Sequence, residues 1–75
     1  MAKSAPIDDV PTHGEGIRLG QFLQLAGLVD SGGEAKEVIR EGDVLVNGEV
    51  DQRRGRQLQV GDIVEFGGRK ARVSD

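Results

Sequence analysis

The sequence predicts an α+β fold, two short helices packed on a small antiparallel sheet. Three observations carry that expectation. Apolar residues recur at helical spacing twice between positions 19 and 42, and the spacing then shortens to that of strands. Two turn signals, Asn47-Gly48 and Gly67-Gly68, punctuate the second half of the chain. Each helix has one apolar stripe to bury, and one face of a short sheet supplies the surface for it.

In chain order, residues 1–16 hold two prolines, two glycines and few apolar groups, and they read as a disordered tail ahead of a domain over 17–75. Leu19, Phe22, Leu23 and Ala26 then stand at i, i+3, i+4 and i+7, which predicts a first helix over Leu19 to Ala26 with Gly27 as its C-terminal cap. Ser31 opens a second helix. Glu34 follows three residues later, the reciprocal capping box in which each side chain satisfies the other residue's backbone N–H. Ala35, Val38, Ile39 and Gly42 repeat the helical spacing and define its buried side.

Beyond Gly42, Val44-Leu45-Val46, the Asn47-Gly48 turn and Glu49-Val50 read as a hairpin, because both turn residues tolerate positive φ. Gln52 to Arg56 is a polar, arginine-rich loop. Leu58 and Val60 alternate with glutamines, Gly61-Asp62 turns the chain, and Ile63 to Phe66 with Arg69 to Val73 form a second hairpin. In that register Lys70 lies opposite Glu65, and Lys70 and Arg72 face away from Ala71 and Val73. Phe22 and Phe66, the two aromatic residues, both fall in apolar patterns and read as core.

Composition narrows the function. Seventy-five residues make one small domain. With no cysteine, disulfides and thiolate metal sites are excluded, and His13 stands in a polar stretch without partners for a metal. There is no paired histidine and carboxylate, and no glycine-rich phosphate loop before a Lys-Ser or Lys-Thr pair, so the expectation is a protein that is not an enzyme and uses no cofactor. The start of the chain has no apolar signal-peptide core and no run approaches membrane-spanning length, which makes a cytoplasmic protein the default.

Net charge is −3, but its placement matters more than its sum. Acidic residues are dispersed. Basic ones gather as Arg53, Arg54 and Arg56, and again as Arg69, Lys70 and Arg72. On the second helix Lys36 and Arg40 form one arc, and Glu34, Glu37 and Glu41 another. Like charges at i, i+4 do not help an isolated helix, so a role outside helix stability is open for both arcs.

The series Arg18-Leu19, Phe22-Leu23, Gly27-Leu28-Val29, Ser31, Ala35, Ile39, Gly42, Val44, Val46-Asn47-Gly48, Val60-Gly61-Asp62 and Val64 resembles the S4 RNA-binding domain, also called the alpha-L motif. The likeness runs from about Ile17 to Phe66. It is most similar to the small stand-alone bacterial members of the YbcJ type. The resemblance implies a domain that grips structured RNA (ribosomal or transfer RNA) with its second helix and adjoining loops. A monomer is expected, on or off the ribosome. Carried over by position, Arg18 opens the first helix, Lys36 and Arg40 line the second, and Arg53, Arg54 and Arg56 offer a flexible, phosphate-adapting loop. Lys70 and Arg72 are weaker candidates. Two positions depart from the family pattern: Gly32-Gly33 stands where an arginine commonly follows the serine, and Gly20 where an acidic residue is common.

Without exposed aromatic residues, unpaired bases lack a ring to stack on, so recognition is expected to rest on backbone charge and shape. A second reading stands beside it: a small protein-interaction adaptor whose acidic arc on the second helix, with the sheet edge, binds a basic partner.

Overall fold

The computed structural model describes residues 7–75. Its elements are β1 (Ile7–Pro11), β2 (Ile17–Arg18), α1 (Leu19–Leu25), α2 (Gly32–Arg40), β3 (Leu45–Val46), β4 (Glu49–Val50), β5 (Gln57–Leu58), β6 (Ile63–Phe66) and β7 (Arg69–Ser74). Among them no helix is long and apolar enough to cross a membrane.

A seven-residue helix is not stable alone, and α1 is held by what it buries. Leu19, Phe22 and Leu23 are all fully buried. The helix ends as its sequence demands: the backbone turns left-handed at Gly27 (φ +72°), and the N–H of Leu28 donates back to the Leu23 carbonyl at 2.9 Å. In α2 the Ser31 hydroxyl accepts from the Glu34 N–H at 3.1 Å. The return half of the expected capping box goes elsewhere, because the Glu34 carboxylate accepts from the N–H of Asp30, at 2.9 Å, and not from that of Ser31.

Five strands form one sheet in the order β1-β7-β6-β3-β4, while β2 and β5 pair separately as a two-residue ladder. The Asn47-Gly48 turn has both residues at positive φ (54° and 86°), which matches the right-handed twist of a tight hairpin. Its amide also ties the two turns together: Asn47 Nδ2 donates to Asp62 Oδ1 at 3.1 Å, and Asn47 Oδ1 accepts from the Ile63 N–H at 2.9 Å.

The helices cover one face of this sheet. Leu19, Phe22, Leu23, Ala35 and Ile39 pack with Val46, Val64, Ala71 and Val73. Each Val, Leu, Ile or Phe side chain among them contributes on the order of 1.5–3 kcal/mol when fully removed from water. Phe66 is only half-buried and packs at the margin of that core.

Two expectations need correction. Residues 7–11 are not a tail, since Ile7–Pro11 is an edge strand paired with β7, with Val10 opposite Val73. Residues 1–6 of the expected tail lie outside the described part. The sheet is also mixed and not wholly antiparallel, because β1 runs parallel to β7. Two aspartates and a proline hide this strand from a pattern search, and an edge position tolerates both.

Candidate nucleic-acid interface

The loop between β4 and β5 is strapped down along its length. Asp51, whose side chain is 5% exposed, accepts from Arg53 Nη2 at 2.8 Å and Arg56 Nη1 at 2.6 Å. It also accepts from Arg53 Nε at 3.1 Å and the Arg53 backbone N–H at 2.9 Å. Hydrogen bonds from Arg53 are the largest reason that the Asp51 carboxyl lies far below the usual carboxylate range. Burial opposes the shift, and Arg56 adds to it.

The loop backbone in turn caps α1. The Arg56 carbonyl accepts from the Leu19 N–H at 2.8 Å, and the Arg54 carbonyl from the Gly20 N–H at 3.1 Å, which satisfies donors that have no partner inside the helix. Arg18 Nη1 donates to the Gly55 carbonyl at 2.8 Å.

This corrects the picture of three adaptable guanidiniums on a loose loop. Arg56 is half-buried and engaged, Arg53 is exposed but paired, and Arg54 alone extends without an ion pair among the described residues. Pattern reading missed Asp51. Its signal was an acidic residue two and five positions before two arginines, directly after an apolar hairpin.

The loop also runs beside α2. Gln52 Nε2 donates to the Arg40 carbonyl at 2.8 Å at the C-terminal end of that helix, and Arg54 faces Gly32 at its start across an open cleft. Lys36 and Arg40 are exposed along the same helix, with Glu37 beside them. The cleft has a volume of about 570 Å³, and Arg18, Gly20, Gln21, Gln24, Gly32 and Arg54 line it. Among the described residues none of those lining it carries a carboxylate. Two of the glycines at which the sequence departs from the pattern it resembles, Gly20 and Gly32, therefore sit on one cleft.

Arg18 and Arg54 thus meet on one cleft beside α2, Lys36 and Arg40 line a separate groove with Gly33 and Glu37, and Arg53 and Arg56 are turned to Asp51. Lys70 and Arg72 join none of these. They alternate with the buried Ala71 and Val73 and so point to the opposite face of the sheet. Lys70 sits opposite Glu65 in register, and Arg72 Nη1 lies 3.2 Å from Asp9 Oδ1 on β1. Within the acidic arc of α2, Glu34 is engaged by the helix start.

The family model described as the S4 domain matches residues 10–74. The chain belongs to the S4 domain family. Among relatives of this S4 domain, the probable ribosome maturation protein RlbA of Bacillus subtilis (strain 168) is 59% identical over 54 residues, covering 72% of this chain and 76% of that protein. YbcJ of Escherichia coli (strain K12) is 37% identical over 57 residues, 76% of this chain and 81% of that one.

The solution structure of E. coli YbcJ, described as revealing an alpha-L motif involved in RNA binding, superposes with a TM-score of 0.72. It is 28% identical and covers 100% of this chain and 96% of that one. A tyrosine–tRNA ligase of Burkholderia lata is 36% identical across 97% of this chain, yet the match spans only 19% of the ligase. The likeness to that enzyme is confined to its S4 domain.

Proposed function

We propose that this S4 domain is a non-catalytic RNA-binding protein of the bacterial cytoplasm that acts as a monomer and holds structured RNA by backbone charge and shape. The observation that carries the reading is a strip of basic groups beside α2: Arg18 and Arg54 flank a cleft free of carboxylates, and Lys36 and Arg40 stand exposed farther along the helix with Glu37 between them. A phosphate backbone follows such a strip because guanidinium and ammonium groups neutralise successive charges and release bound counterions. The E. coli relative described with an RNA-binding alpha-L motif supports the same role. The name of the B. subtilis relative favours ribosomal RNA over transfer RNA as the ligand.

Arg54 is the loop arginine best placed for phosphate, whereas Arg53 and Arg56 hold the loop to Asp51. Lys70 and Arg72 lie outside the strip and are given no part in binding.

The test is a salt series of binding to a ribosomal RNA stem-loop and to transfer RNA, with duplex DNA as control. RNA binding that falls steeply with salt, weakened at least tenfold by Arg54→Glu in a chain of unchanged circular dichroism, is the expected result. Salt-independent binding, or an Arg54→Glu variant of unchanged affinity, would overturn the assignment.

A further inference from the structure

We infer that the cleft between α1, the start of α2 and the arginine loop receives one unpaired nucleotide of the bound RNA. The inference rests on the RNA-binding reading above and adds to it a pocket for a base, where charge alone would give only a grip on the backbone. The cleft, about 570 Å³, falls within the range of roughly 300–1,000 Å³ typical of pockets for small organic ligands, so a single nucleotide can enter it.

Its floor exists because two positions lack side chains. A Cβ on Gly32 would stand 3.4 Å from Gln24 Oε1, and one on Gly20 would meet Arg54 Cγ at 2.8 Å. A long side chain at position 32 would extend into the cleft, and any side chain at position 20 displaces the Arg54 stem.

The lining groups match the chemistry of a base with its phosphate. Gln21 and Gln24 both present carboxamides, which offer donor and acceptor to a base edge. The Gln21 oxygen accepts from the Arg18 N–H at 3.1 Å, so what Gln21 has left to offer is its NH₂ donor. Gln24 Oε1 instead faces the open floor at Gly32. Arg18 is held at the mouth through its bond to the Gly55 carbonyl, so its guanidinium plane is pre-oriented. Extruded RNA bases stack on guanidinium planes as well as on aromatic rings, which removes the need for an exposed aromatic residue. Lys36 and Arg40 stand exposed farther along α2, with Glu37 between them, where the flanking phosphates of the same strand would pass.

The test compares two RNA stem-loops that differ by one unpaired nucleotide in the stem, titrated against the full chain by fluorescence anisotropy at fixed salt. The bulged RNA is expected to bind about tenfold tighter, the discrimination that one good base contact supplies. Gln24→Ala, an exposed position, and Gly32→Leu, which extends into the cleft, should each reduce that preference to near unity, read as the ratio of the two affinities within each variant. Equal binding of both RNAs would overturn the cleft assignment and leave the RNA-binding reading intact. A preference that survives both variants would overturn it too, and failure of both RNAs to bind would remove the reading beneath it.

Discussion

Asp51 holds Arg53 and Arg56 at the root of the arginine loop through its ionised carboxylate. Its carboxyl titrates far below the unfolded value of about 3.9 because the folded state donates hydrogen bonds to the ionised form. A depressed folded pKa contributes stability that is complete above the unfolded pKa and is lost as pH falls towards the folded one. Asp51→Asn should therefore destabilise the domain at neutral pH by about 1 kcal/mol, a modest figure because Arg53 is largely exposed. The difference between variant and wild type should shrink below about pH 4. Urea denaturation of both proteins from pH 7 to pH 2 measures this, and a gap that is constant across the range would show that Asp51 does not act through its charge.

At the scale of the element, α2 presents a buried side, built on Ala35 and Ile39, and an exposed basic side, Lys36 and Arg40. The buried side holds the helix, so changing the exposed side tests binding without testing the fold. Lys36→Ala with Arg40→Ala should weaken affinity for all structured RNAs alike. The slope of log K against log salt should fall by up to about two, one unit for each phosphate that is no longer neutralised. Altered preference between RNAs with an unchanged slope would contradict a phosphate role for this helix.

The whole molecule is closed by an edge strand. β1 covers the outer edge of β7, and Arg72 reaches Asp9 across that pairing. Removing residues 1–11 would expose the β7 edge and strip cover from Val73, which is now buried. Loss of about 2 kcal/mol, or roughly 10 °C in Tm for a domain of this size, is the expected result, with RNA affinity unchanged at temperatures where the fold persists. A Tm that does not move in differential scanning calorimetry would mean that β1 adds no stability.

What the chain alone determines is everything encoded at short range. Helical spacing from Leu19 to Leu23, the Ser31 cap, the left-handed stop at Gly27 and the Asn47-Gly48 hairpin follow from a few neighbouring residues, and each is present where its pattern stands. The family resemblance was legible for the same reason, since it is carried by those caps and turns in order. Other features appeared only in three dimensions. β1 pairs with a strand more than sixty residues away, so no local pattern reports it. Arg53, Arg54 and Arg56 look equivalent in sequence, yet Asp51 engages two of them and leaves the third towards the cleft. Lys70 and Arg72 count as basic residues like the rest, but the alternation of β7 turns them away from the helices. Charge is a property of the residue, whereas the face on which it stands and the partner that neutralises it are properties of the packed chain.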